Sequence, residues 1–232
     1  MAMADRWGLL RRLCVALERP GVDGVLGTAD ILEDLLLLGA LDDKVVIGSM
    51  NRGGLAGTAF EIDDRFTGYS PQAIERRGFQ GGKLLLRIDP QDVVTAPTLM
   101  SSAEAINGLA ERGLMAMVEP FISHRVDGRV RNELTTEAVI RSATVAAGLG
   151  WTSAHTWLKL PVVDDMESVL AATTLPTLLL GGEVSVNQET QFAQWSKALA
   201  NPHVRGMVVG RSLLYPPDDD VAAAVDATVE MM

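Results

Sequence analysis

Seven short runs of apolar residues, none of them alternating with polar ones, recur along the chain between longer amphipathic stretches. They are Asp23–Gly27, Lys44–Met50, Lys83–Ile88, Met115–Pro120, Thr156–Leu160, Thr177–Gly181 and Gly206–Gly210. A continuous apolar run suits a parallel strand, because both of its faces are covered. The intervening stretches carry helical periodicity at Asp5–Glu18, Ala29–Leu38, Pro71–Arg77, Ser101–Arg112, Thr135–Ala147, Asp165–Ala172, Asn187–Ala200 and Val221–Met231. Ser101 stands three residues before Glu104, the spacing of a capping box, and Thr135 and Asn187 suit N-caps. Gly113 and Gly148 are placed to end helices. Strand and helix in strict alternation predict an α/β fold with a parallel sheet.

The count narrows the choice. A (β/α)8 barrel starts with a strand and has eight of each element. Here seven strands accompany eight helices, and a helix comes first. The reading is therefore a TIM barrel that apparently lacks its first strand. The rival, an open doubly wound sheet, would be supported by a Gly-x-Gly-x-x-Gly turn after the first strand, and none is present. No repeat, low-complexity tract or linker divides residues 1–232, so one domain is expected.

Composition excludes some functions. The formal net charge of −10 argues against a nucleic-acid or anionic-membrane surface. It leaves room for a small phosphorylated substrate, which needs only a local positive site. The one cysteine, Cys14, cannot form an internal disulfide. No signal peptide and no apolar run of the ~20 residues that span a bilayer is seen, so a cytoplasmic location is expected. An open barrel edge, with its unpaired backbone groups, makes a homo-oligomer conceivable.

A barrel places its site at the C-terminal ends of its strands, and here those ends are polar or glycine-rich. They carry Asp30 after the first run, Asn51 and Arg52 after the second, Arg87 and Asp89 on the third, and Glu119 on the fourth. Lys159 ends the fifth, and Gly181-Gly182 and Gly210-Arg211 end the last two. Lys159 is the most telling. A lysine in an apolar strand is disfavoured as the ammonium ion, and a deprotonated amine can attack a carbonyl to form a Schiff base. Glu119 on the neighbouring strand suits the accompanying proton transfers. The plain alternative is a buried ion pair with no chemistry.

Lys83 shares a face with Arg87 by the two-residue period of a strand, so it reaches either the site or the barrel floor. The glycine loops after the last two strands, with Arg211, suit a phosphate group. The stretch from Asn51 to Ser70, about twenty residues without periodicity, has the length of a lid or binding loop. His124, His155 and His203 have no ligand spacing, so no metal and no cofactor is expected.

Four stretches carry a resemblance: Gly21–Thr28, Gly48–Leu55, Thr156–Pro161 and Gly210–Pro216. Through them the chain resembles the class I aldolase barrels, the superfamily of tagatose-bisphosphate, archaeal-type fructose-bisphosphate and deoxyribose-phosphate aldolases. It is most similar to a little-characterised bacterial aldolase-like family associated with inositol catabolism. The resemblance implies that Lys159 is the Schiff-base lysine and that the Gly181-Gly182 and Gly210-Arg211 loops hold a substrate phosphate. It also implies a first strand with an inward acidic residue, which this chain does not match. A phosphosugar isomerase using Glu119 as base, or an inactive ligand-binding remnant, are the other readings.

Overall fold

The computed structural model describes residues 5–51, 62–181 and 188–232, with side chains of 188–191 left aside. Strand β1 (Gly24–Gly27) is followed by β2 (Val45–Ser49), β3 (Gly81–Ile88) and β4 (Met115–Val126). A short β5 (Arg129–Asn132) precedes β6 (Thr156–Pro161), β7 (Thr177–Leu180) and β8 (Val204–Val208). Pairing runs β1-β2-β3-β4-β6-β7-β8, all parallel, with β5 attached only to β4. Helices α1 (Arg6–Leu17), α2 (Ala29–Leu37), α3 (Pro71–Arg77), α4 (Thr95–Ala110), α5 (Thr136–Ala147), α6 (Met166–Ala171), α7 (Gln188–Leu199) and α9 (Val221–Val229) alternate with the strands. A single turn, α8 (Arg211–Leu214), follows β8. This is the α/β architecture of a TIM barrel, with seven parallel strands among the described residues.

The two faces of each strand do different work. Leu84, Leu86, Val118, Leu158, Leu160 and Leu179 are fully buried and join one core with the helix residues Leu32, Leu35, Ile106, Leu109 and Ala143. That shell between sheet and helices supplies most of the apolar burial. The alternate positions face inward, and the registers Leu85↔Glu119 and Val118↔Leu158 carry Lys83, Glu119 and Lys159 to that inner face. The site residues thus lie on the most firmly packed strands.

Several boundaries differ from the sequence reading, each for a local reason. Helix α4 starts at Thr95, so Ser101 lies within it and is no cap. The Thr95 hydroxyl bonds both the N–H and the carbonyl of Asp89, and that turn launches the helix early. Strand β8 starts two residues before the expected Gly206, which has a φ of 138° and lies where the β7–β8 register shifts.

Strand β4 overruns the expected Pro120 and returns as β5 through Asp127-Gly128, both at positive φ. An Asp-Gly pair is a strong hairpin signal. The Thr135 hydroxyl caps α5 as expected, whereas Asn187 lies outside the described residues. Among the described residues, no helix is long and apolar enough to cross a membrane.

Close strand approach restricts Gly81, where a Cβ would stand 2.5 Å from the carbonyl oxygen of Met115. Backbone cannot move aside as a side chain can, so Gly81→Ala should lower stability by about 1–3 kcal/mol. Leu158→Ala, which empties a site with no solvent exposure, should cost about 2–5 kcal/mol. Urea unfolding followed by circular dichroism measures both.

Candidate active site

Glu119 stands at the centre of the inner face of β4, only 8% exposed. Lys159 comes from β6, one register step beyond the Val118↔Leu158 pair, and its Nζ donates to Glu119 Oε1 at 2.8 Å. Lys83 comes from the other side. It lies two residues before Leu85, the register partner of Glu119, or roughly 6–7 Å back along β3 at the usual rise per strand residue. A lysine stem bridges such a gap, and its Nζ pairs with Glu119 Oε2. The carboxylate therefore has one ammonium group on each oxygen. The sequence left Lys83 between the site and the barrel floor, and the structure brings it to the site.

The three charges bias one another. Burial pushes the Glu119 carboxyl up, but the charges of Lys83 and Lys159 and their hydrogen bonds outweigh it and hold the group below its ordinary value. Burial is also the largest influence on Lys159, and it favours the neutral amine. The positive charge of Lys83 adds to that effect, Glu119 opposes it, and the net direction is down. A buried amine with a lowered pKa beside an ionised carboxylate is an arrangement able to add to a carbonyl and then move protons.

The other expected residues fall into distinct places. Arg87 is buried on β3, and its backbone N–H and guanidinium both donate to the carboxylate of Asp64. Asp64 itself has no exposed side-chain surface. Asn51 is buried just past β2. Its amide oxygen accepts from the Leu85 N–H at 2.9 Å, and its amide nitrogen donates to the carbonyls of Leu85 and Asp64. Asn51 therefore continues the β2–β3 pairing with a side chain and fastens the segment around Asp64.

Asp89 is buried past β3, where its carboxylate accepts from the Gln91 N–H and lies 3.5 Å from His124 Nδ1. Asp30 stands apart on the exposed first turn of α2, held by Thr28 and by Arg6 of α1.

Gly181 follows β7 and donates its N–H to the carbonyl of Val208. Gly210 is the N-cap of α8, with open space where a side chain would be, and Arg211 opens that turn on the surface. Gly210 and Lys159 border the same cavity, of about 540 Å³. Arg52 and Gly182 lie outside the described residues. No group of three or more His, Cys, Asp or Glu side chains is placed to hold a metal among the described residues.

Asp64 is the residue that sequence reasoning missed as a structural partner. The available signal was Arg87 itself, because an inward-facing arginine on an apolar strand requires a buried carboxylate.

Comparison with known proteins fits this geometry. No curated protein matches the chain. The crystal structure of Cgl0159 from Corynebacterium glutamicum is 56% identical, with a TM-score of 0.96, covering 100% of this chain and 78% of that one. A Schiff-base-forming fructose-1,6-bisphosphate aldolase is 20% identical with a TM-score of 0.72, covering 96% of this chain and 82% of the other. An archaeal fructose-1,6-bisphosphate aldolase is 19% identical with a TM-score of 0.73, covering 99% and 84%. At that identity the two aldolases share with this chain the fold alone, that of a TIM barrel. The Cgl0159-like family matches residues 1–229, and the chain belongs to that family.

Proposed function

We propose that this chain is a metal-independent class I aldolase that cleaves or forms a carbon–carbon bond in a phosphorylated sugar or sugar acid. The observation that carries this reading is the buried Lys159 amine, biased toward its neutral form and bonded to the Glu119 carboxylate. The neutral amine adds to a substrate carbonyl to give a carbinolamine. Loss of water then leaves a protonated imine. The hydroxyl on the departing carbon gives up its proton to a base and that carbon leaves as an aldehyde, while the imine accepts the electron pair of the breaking carbon–carbon bond and becomes an enamine, which is protonated and hydrolysed to free Lys159.

Glu119 lies within reach of each proton that enters or leaves Lys159. Lys83 keeps Glu119 ionised between steps and resists a second positive charge on Lys159 in the resting site. Arg87 shapes the wall of the site through Asp64. A substrate phosphate would sit on Gly181, Gly182, Gly210 and Arg211, with Asn51, Arg52 and Asp89 around the rest, whereas Asp30, tied to Arg6 on the surface, has no part in it. Similarity to the fold of a Schiff-base aldolase supports the reading. An isomerase using Glu119 as base fits less well, because a carboxylate held at low pKa by two lysines is a weak base.

Borohydride reduction in the presence of phosphosugars, followed by peptide mass mapping, should add one substrate-derived mass to the peptide containing Lys159. Lys159→Arg should abolish trapping and lower kcat/KM by about 10³-fold or more. Trapping at another lysine, or an active Lys159→Arg variant, refutes the mechanism.

Lys83→Met removes a like charge from Lys159 and leaves Glu119 to stabilise the ammonium form alone. The acidic limb of the pH profile of kcat/KM should therefore move to higher pH, which a profile of both proteins checks.

Glu119 also links stability to pH. Its folded pKa lies below its ordinary value of 4.5, so its stabilising effect is present above that value. The effect is lost as pH falls through the depressed folded pKa. Between about pH 5 and pH 3 the wild-type Tm should fall more steeply than that of Glu119→Gln, measured by scanning calorimetry.

A further inference from the structure

Strand β2 ends on a residue that breaks its own pattern. Its earlier inward positions, Val45 and Ile47, are apolar, and the next one is Ser49. The direction follows from its neighbour. A Cβ on Gly48 would meet the ring of Tyr69, a member of the core outside the sheet, so Ser49 projects to the opposite face. Register agrees, because Ser49 is the Cα partner of Lys83 on β3. Its side chain therefore shares the inner face with Lys83, Glu119 and Lys159.

The main chain around Ser49 is fixed on both sides. Its carbonyl accepts from the Tyr69 N–H at 3.1 Å, and the N–H of Met50 donates to the Lys83 carbonyl at 2.9 Å. The Gly68 N–H donates to the Met50 carbonyl. The side chain has no such ties. Asn51, Lys83, Arg87, Glu119 and Lys159 are each bonded to another group. Among the described residues the Ser49 hydroxyl makes no hydrogen bond, and the residue is only half-buried. A hydroxyl on a rigid backbone, open toward the site and without a partner, is preorganised to bond a ligand.

We infer that Ser49 is a specificity-determining residue, and that its hydroxyl bonds a substrate hydroxyl next to the carbonyl carbon that faces Lys159. The pairs β2-β3, β3-β4 and β4-β6 separate the two strands. That is about 14 Å along the wall and less across the interior. Lys159 reaches in from one side and Ser49 faces it from the other, so a short carbon unit bearing an oxygen fits between them. The charged groups cannot take this role without loosening one another, because both lysines are engaged by Glu119. Ser49 is available without that cost, and a serine that both donates and accepts suits a hydroxyl that does the same. The inference rests on the aldolase reading of the site and names what the site selects. It favours a phosphorylated ketone with a hydroxyl beside its carbonyl over the same ketone without one.

Isothermal titration of wild type and Ser49→Ala with dihydroxyacetone phosphate and with hydroxyacetone phosphate, which lacks that hydroxyl, tests this. Wild type should bind the hydroxylated ketone about tenfold more tightly. Ser49→Ala should erase the preference by weakening the hydroxylated ketone alone, with Tm unchanged. Equal binding of the two ketones by wild type overturns the inference. So does a preference that survives Ser49→Ala, or no binding of either ketone. Borohydride treatment of the same mixtures separates the contact from the chemistry. A preference lost in Ser49→Ala with no label on Lys159 would sustain the hydroxyl contact and refute the imine.

Discussion

One carboxylate organises the interior of this barrel. Glu119 is buried and is satisfied by two lysines that arrive from opposite neighbours along the sheet. Each lysine needs Glu119 to be tolerable at that depth, and Glu119 needs both to stay ionised. Removing Glu119 leaves two buried amines with no counter-charge, which generally costs far more than the intact cluster contributes, whereas removing one lysine leaves a matched pair. The arrangement is therefore poor as a stabilising device and is better understood as chemistry that the rest of the fold supports. The leucine-rich shell outside the sheet supplies the stability that makes it affordable.

A second buried pair surrounds that centre. Asp64 and Arg87 lock the segment after residue 61 onto β3, and Asn51 fastens the same segment to the end of β2. These are side chains acting as backbone, each completing a ladder where the strands have run out. The wall next to Lys83 is consequently set by directional bonds and not by packing alone, which limits how far the lysine can swing from Glu119.

Much of this was legible in the chain because parallel strands covered on both faces leave an unmistakable apolar signature. All seven runs became strands, with ends shifted by a few residues. The pairing of Lys159 with Glu119 was also legible, since neighbouring strands in a barrel bring equivalent heights together. What escaped was decided by contacts that no period reveals. The early start of α4 depends on Thr95 meeting the backbone of Asp89. The reach of Lys83 depends on the length of its stem across a register offset. The Asp127-Gly128 hairpin was written plainly in the chain but was hidden by reading β4 only as far as its apolar residues.

The β3–β4 ladder matches eight residue pairs, whereas β4–β6 matches three. Local opening of a sheet begins where ladders are short. The seam between β4 and β6, like the equally short β2–β3 and β7–β8 ladders, is thus one of the places where the wall can part, and Lys159 lies just past its end. Lys83 and Glu119 share the long ladder and stay together through such an event. A fluctuation that admits water or releases a product would therefore carry away the amine alone, while the acid and its second lysine remain in place as a preassembled pair.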